Sequence, residues 1–172
     1  MTVPGRRRGP SRKGAAPFAV RPAGRLDCRD IAVLLNEIVA AGGTTAVCAP
    51  LTAADIAKWM QGAPDRSAWH VAEDDHGDIL GFQYVEPHPG LPPDCCDIAT
   101  YVRSGVTGIG IGSALFDASR RAARQLGYAA IIAVIRTDNA GGLAYYQSRG
   151  FEDWKTWADA PIAPRIMKRY DL

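Results

Sequence analysis

The sequence predicts a single α/β domain in which short apolar strands and amphipathic helices alternate along the chain. Its 172 residues suit one such domain and are enough to bury a sizeable core without disulfides. Apolar residues recur at helical spacing at Ile31, Leu34, Leu35 and Ile38. By contrast, the unbroken apolar run 131–135 is typical of a buried strand.

The individual elements follow from apolar spacing and from the signals at their ends. Gly42 and Gly43 stop the first helix, Thr52 is a favourable N-cap for the second, and the turn at 75–78 joins two strands into a hairpin. The predicted strands are residues 18–21, 68–73, 79–86, 97–102, 128–135, 151–158 and 164–170. The predicted helices are residues 27–41 and 53–61, one from the glycines near 110 to about 126, and one from Asp138 to Gly150.

Charge is distributed unevenly along the chain. Residues 1–26 carry seven basic side chains and no acidic one, so the remainder has 13 basic against 18 acidic residues. Residues 1–17 are rich in Arg, Gly and Pro and lack the apolar stretch of a secretory signal, which predicts a disordered basic tail before a domain of residues 18–172. A nucleic-acid or membrane arm and an early start codon are alternative interpretations of the tail. The acidic remainder gives no reason to expect nucleic acid.

Cysteine and histidine spacing argues against a metal or disulfide framework. The four cysteines include no pair at zinc-ligand or redox spacing, and the three histidines include no i, i+4 pair. No apolar run approaches the roughly 20 residues that cross a bilayer. We therefore expect reduced thiols, no metal site, no membrane span and a cytoplasmic location.

A glycine loop that opens into a helix is the feature from which a function can be argued. It comprises Gly108, Ile109, Gly110, Ile111, Gly112 and Ser113. Glycine lacks a Cβ, so a phosphate oxygen can approach the backbone amides closely, and the positive end of the helix favours negative charge. The loop therefore predicts an anionic, nucleotide-like ligand, although a plain tight turn before a helix is the alternative.

A second segment, 138–151, matches a family pattern together with this loop. The loop resembles the Arg/Gln-x-x-Gly-x-Gly/Ala signature of the GNAT superfamily of acyl-CoA N-acyltransferases, and Asn139, Tyr146, Gly150 and Phe151 match its Asn-x6-Tyr-x3-Gly-Phe segment. The resemblance implies the GNAT fold, a mixed, splayed and mostly antiparallel sheet with helices on both faces. It further implies acetyl-CoA as cosubstrate and direct N-acetyl transfer to an amine in a ternary complex.

The resemblance also implies roles for individual residues in holding the cofactor. The amides from Gly108 to Ser113 would hold the pyrophosphate, and the exposed backbone of Thr100, Tyr101 and Val102 would pair with the pantetheine arm. The amide of Val102 is the candidate oxyanion donor. Asn139 would contact the cofactor, and a helix cap is its compatible structural alternative.

Two side chains are candidates for proton transfer. Tyr146 matches the tyrosine that many members hold near the thioester sulfur, where it can protonate the leaving thiolate, whereas core packing is the alternative. Tyr145 is expected to be the more buried of the two tyrosines. Asp97 precedes Tyr101 by four residues, which is similar to the Glu-x-x-x-Tyr-Val strand of phosphinothricin acetyltransferase-like enzymes. It would accept the ammonium proton, or else simply begin a strand after a turn.

The chain departs from the family pattern at two positions. Thr107 replaces Arg or Gln, and Ile109 stands where Lys or Arg is frequent, so amides must hold most of the pyrophosphate. Losing a charge-assisted contact would weaken binding about 10- to 100-fold unless Arg103 compensates. Pro87–Pro93 lacks the run associated with phosphinothricin, so that substrate is not assigned.

The predicted function is acetyl transfer from acetyl-CoA to a primary amine of a small molecule, such as an amino acid or an analogue. The subgroup resemblance implies a homodimer. A non-catalytic acyl-CoA-binding domain of the same fold is one alternative. An NADP-binding Rossmann unit, with Arg136 at a 2′-phosphate, is the other, although Ser113 replaces its third glycine.

Overall fold

The computed structural model describes residues 17–106 and 108–172. The predicted basic tail and Thr107 therefore fall outside the described residues, apart from Pro17. A 3-10 turn at Arg25–Asp27 precedes the first helix. The elements are β1 (Phe18–Pro22), α1 (Cys28–Ala41), α2 (Ala53–Met60), β2 (Ala68–Asp74), β3 (Ile79–Glu86), β4 (Cys95–Val102), α3 (Ile111–Gln125), β5 (Ala130–Arg136), α4 (Ala140–Ser148), β6 (Glu152–Trp157) and β7 (Arg165–Asp171).

One sheet carries all of the described strands, in the order β1-β2-β3-β4-β5-β7-β6. Of these, β4 and β5 form the one parallel pair, and the other neighbours are antiparallel. The mixed, mostly antiparallel sheet is thus confirmed. The Rossmann alternative is wrong, because that fold needs a mostly parallel sheet.

Helices cover both faces of this sheet, as predicted. On one face, α1 and α2 pack with aromatic residues of β2 and β3, and the buried residues there include Leu34, Ile56, Trp69 and Phe82. On the other face, α3 lies over β1, β2 and β3. Ser119 of α3 is 3.3 Å from Nδ1 of His70, a buried polar contact that joins this helix to β2.

The parallel pair β4 and β5 separates part of the way along its length. Pairing ends at Ile98 and Ala133, so the last four residues of β4 have no partner on that side. The N–H of Arg103 donates to the carbonyl of Leu80 across the β3 edge at 2.8 Å. Because peptide groups alternate in direction along a strand, the N–H and C=O groups of Thr100 and Val102 point into the gap beside β5.

Several predicted boundaries differ from the observed ones by one or two residues. The fourth strand begins at Cys95 instead of Asp97, because Cys95 and Cys96 pair with Ala130 and Ile131. The fifth begins at Ala130 instead of Tyr128, whose N–H still bonds to Ala123 at the end of α3. Cys28, Cys48, Cys95 and Cys96 are free thiols in the structure. None of the helices in the described parts of the chain has the length and apolarity needed to span a membrane.

Candidate functional site

A cavity of about 1380 Å³ opens where β4 and β5 separate. Its walls come from both strands, the N-terminal ends of α3 and α4, and the loops after α1, β3 and β6. Eleven of the twelve predicted site residues line it: Asp97, Thr100, Tyr101, Val102, Gly108, Gly110, Ile111, Gly112, Ser113, Asn139 and Tyr146. Ile109 does not, and 46% of it is exposed.

The glycine loop presents unpaired amides to this cavity. Gly110 is the N-cap of α3 with φ of 89°, and Gly108 has φ of 85°, a left-handed conformation that favours glycine. The first helical bond runs from the N–H of Ala114 to Gly110. The amides of residues 111–113 therefore have no partner within the helix, and the positive end of its dipole lies behind them.

A basic side chain that the sequence analysis did not single out lies beside these amides. Arg149, just after α4, lines the cavity and donates from Nη1 to the hydroxyl of Ser113 at 2.6 Å. Arg103, the side chain considered as a substitute for a basic residue at position 107, donates to the carbonyl of Ile79 and does not line the cavity. The sequence does not indicate this contact, because Arg149 is 36 residues away from Ser113 along the chain.

Gly112 is also required by the close packing of a tyrosine. A Cβ at this position would lie 2.7 Å from Cε2 of Tyr145, closer than real contacts allow. The Tyr145 hydroxyl donates to the carbonyl of Gly112 at 2.7 Å. The loop and α4 are thus fixed against each other.

The two adjacent tyrosines differ in burial, and the prediction for them is wrong. Tyr146 is the buried one, with 6% exposed, whereas Tyr145 is only half-buried. The Tyr146 hydroxyl lies 2.9 Å from Oγ1 of Thr100, which also accepts a bond from Nε2 of Gln83 at 2.7 Å. Burial raises the pKa of Tyr146 well above its usual value, so the hydroxyl keeps its proton.

Asn139 has the capping role that was left open for it. Its side-chain oxygen accepts from the N–H of Gly142 at 2.9 Å, which caps α4. Its amide nitrogen also contacts the carbonyl of Thr44, in the loop after α1, at 3.4 Å. Since Asn139 also lines the cavity, the cap and a cofactor contact remain compatible.

Asp97 has the environment of a perturbed acid. Its Oδ1 is buried and has no hydrogen-bond partner among the described residues. Burial raises the pKa of Asp97 to about 8, and the negative charge of Glu86 adds to the rise, while the Arg165 guanidinium acts in the opposite direction. A carboxyl group with a pKa near neutrality can accept a proton from an ammonium and release it again.

The part of the cavity bordered by the loop after β3 and by β5, β6 and β7 has apolar walls and two basic side chains. Leu91, Val134 and Met167 belong to one apolar cluster there. Arg165 and Lys155 also line the cavity. In the loop between β6 and β7, Ile162 has φ of 77°, a strained conformation for a β-branched residue. Among the described residues, no group of three or more His, Cys, Asp or Glu side chains is arranged to hold a metal ion.

The chain is similar to known acetyltransferases. The model of the acetyltransferase (GNAT) family matches residues 42–151. YwnH of Bacillus subtilis, provisionally named a phosphinothricin acetyltransferase, is 28% identical over 157 residues, which cover 90% of this chain and 95% of YwnH.

Two solved structures are similar throughout. A GCN5-related N-acetyltransferase from Kribbella flavida is 27% identical with a TM-score of 0.78, over 91% of this chain and 98% of that one. A phosphinothricin acetyltransferase from Sinorhizobium meliloti, in complex with acetyl-CoA, has a TM-score of 0.79 at 22% identity, over 91% and 89%. The latter likeness is one of fold alone.

Proposed function

This chain belongs to the acetyltransferase (GNAT) family, and from that premise we propose that it transfers an acetyl group from acetyl-CoA to a primary amine of a small molecule. Transfer is direct, within a ternary complex of protein, acetyl-CoA and amine. Amino acids and their analogues are the first acceptors to test, since the chain is similar to a protein named as a phosphinothricin acetyltransferase.

The residues around the gap between β4 and β5 fit acetyl-CoA. Free amides at the start of α3, with Arg149 next to them, suit a pyrophosphate. The unpaired backbone of Thr100 and Val102 suits the amides of a pantetheine arm, which would add to β4 as an extra strand, whereas the peptide groups of Tyr101, which were predicted to take part, point toward β3. Acetyl-CoA supplies an activated acyl group as a thioester.

The chemistry then needs three groups from the protein. The amine nitrogen attacks the thioester carbonyl carbon, the C–S bond breaks, and the ammonium proton must leave. Asp97 accepts that proton, directly or through water. The amide of Val102 donates to the developing oxyanion, and the Tyr146 hydroxyl gives its proton to the departing thiolate.

The observation that carries this proposal is the gap between β4 and β5. The Asp97 carboxyl, the free backbone N–H of Val102 and the Tyr146 hydroxyl all border one cavity there. A binding module would have no need of the unpartnered Asp97 oxygen. The alternative of a non-catalytic acyl-CoA-binding domain is therefore the less favoured one.

The first experiment is calorimetric titration of the purified protein with acetyl-CoA and, separately, with NADPH. We expect acetyl-CoA to bind with a micromolar dissociation constant and NADPH not to bind. Absence of acetyl-CoA binding would contradict the proposal. Binding without acetylation of any amine in a broad panel, followed by mass spectrometry, would instead favour the non-catalytic domain.

We also propose a homodimer, which the subgroup resemblance implies, and a cytoplasmic location, which suits four reduced cysteines. Sedimentation analysis tests the first and cell fractionation the second. We also propose that neither nucleic acid nor membrane is a partner of residues 18–172, because this part of the chain is acidic. Retention on an anionic resin at physiological salt tests that proposal.

A further inference from the structure

Arg165 is a buried cation that lines the same cavity as Asp97. It begins β7, only 8% of it is exposed, and it lines the cavity. None of the ion pairs among the described residues includes it. Burying a guanidinium is costly unless an anion accompanies it, so an arginine held this way points to a negatively charged ligand.

A neighbouring arginine in the same sheet, Arg136, has the ion-pair partner that Arg165 lacks. Arg136 lies opposite Arg165 in the pairing of β5 with β7. It binds Asp138 with two hydrogen bonds, from Nε to Oδ1 at 2.9 Å and from Nη2 to Oδ2 at 2.7 Å. The Asp138 carboxylate therefore pairs with Arg136, and the guanidinium of Arg165 remains available to a ligand in the cavity.

Arg165 and Asp97 lie on the same face of the sheet. Asp97 follows Cys95 by two residues on β4, and Arg165 precedes Met167 by two on β7, so each shares a strand face with a residue of one apolar cluster. Both side chains line the same cavity, so a single ligand there can extend between the two charges. One end of it would be an ammonium at Asp97, and the other would be an anion at Arg165.

The balance of charge in the cavity supports the same class of acceptor. Asp97 is the acidic side chain among the residues that line it, whereas Arg149, Lys155 and Arg165 are basic. A polyamine would bring a second positive charge next to Arg165 and Lys155, which is unfavourable. An acceptor with both an amine and an anionic group matches the site.

We propose that Arg165 is a specificity residue that binds a carboxylate of the acyl acceptor, so that the acceptor is a free amino acid instead of a simple amine, a polyamine or a protein N-terminus. This inference rests on the proposed acetyl transfer. Arg165 contacts the substrate but takes no part in bond making. Its bidentate fork suits a carboxylate, and the apolar walls at Val134 and Met167 suit an aliphatic portion between the two charges.

Matched pairs of acceptors test the proposal. L-Leucine, β-alanine and γ-aminobutyrate are each compared with their own amides, because each pair keeps the carbon skeleton and replaces the carboxylate with a neutral amide, and the three pairs sample three separations of nitrogen from carboxylate. Acetylated products are measured by mass spectrometry. We expect at least one acid to exceed its amide in kcat/KM by about 10-fold or more, the range of a charge-assisted contact.

Variants then assign the preference to a residue. Arg165→Gln should remove the preference for the acid by raising its KM, with little change for the amide, and Arg165→Lys should retain part of it. The matched control is Arg136→Gln, on the next strand and outside the cavity, which should keep the preference. Circular dichroism and thermal unfolding verify that each variant is folded.

The outcomes separate this inference from the proposed function. Equal use of acids and amides, or an equal loss for both in Arg165→Gln and Arg165→Lys, would overturn the role of Arg165 and leave acetyl transfer standing. A peptide acceptor preferred over every free amino acid would do the same. Acetyl-CoA binding with no turnover of any member of the panel would count against both.

Discussion

Glu86 and Asp97 lie directly opposite each other on β3 and β4, so two carboxyl groups share one face of the sheet at the edge of the cavity. Both oxygens of Glu86 accept a bond from Nε1 of Trp59, at 3.1 and 3.0 Å. Oδ1 of Asp97 has no partner among the described residues. One carboxyl group is therefore held in place and the other is left free to exchange a proton.

The pH dependence of turnover should report this pair. Burial and the charge of Glu86 raise the pKa of Asp97 to about 8, so the basic form is depleted below that pH and kcat/KM should rise through it. Glu86→Gln keeps an acceptor for Trp59 but removes the charge, so the rising limb should move to lower pH. A profile unchanged by this substitution would contradict the coupling.

Asp97 should also reduce stability at alkaline pH. Its pKa is raised in the folded protein to about 8, so between pH of about 4 and 8 the folded state binds the proton more tightly than the unfolded state. Stability from this group is therefore lost as pH rises through that window. Asp97→Asn removes the effect, and its melting temperature relative to wild type should increase from pH 5 to pH 9. The same difference in melting temperature between Asp97→Asn and wild type at pH 5 and at pH 9 would refute this prediction.

Loss of the Tyr146 hydroxyl should impair the chemical step more than cofactor binding. Tyr146→Phe should lower kcat about 100-fold or more, while the dissociation constant for acetyl-CoA changes little. Tyr128→Phe is the matched control, because it removes a hydroxyl that donates to the carbonyl of Arg66 at 2.7 Å, outside the cavity. Calorimetry and initial rates measure the two effects, and full activity in Tyr146→Phe would exclude it as the acid.

Arg149 should contribute to acetyl-CoA affinity through the phosphates. Arg149→Gln should weaken binding about 10- to 100-fold, with a reduced dependence on salt, since one charge-assisted contact is lost. Arg124→Gln, which removes an exposed charge near the other end of α3, should have no such effect. Acetylpantetheine lacks the phosphates and should bind both variants alike, so a loss seen there as well would point to a distorted loop.

Much of the fold and part of the site could be predicted from sequence, because their signals are local. Gly108 and Gly110 adopt left-handed φ values just before α3, which is a local turn signal, and Thr52 caps its helix by contacts three residues away. The position of Asn139 before α4 is a signal of the same kind. Apolar periodicity located the strands to within two residues.

What depends on distant parts of the chain could only come from the tertiary structure. Tyr145 and Tyr146 differ by about 100° around one helix, and the sequence cannot say which direction faces the sheet, so their burial was assigned the wrong way round.

The pairing of β3 with β4 brings Glu86 opposite Asp97, and α4 brings Arg149 to Ser113. The lack of an ion-pair partner for Arg165 also depends on the tertiary structure, because the neighbouring Arg136 already binds Asp138. The positions of the turns, caps and strands follow from the amino-acid sequence, since neighbouring residues set them. The tertiary structure alone decided which charges meet in the cavity, since burial and pairing between distant strands set their partners.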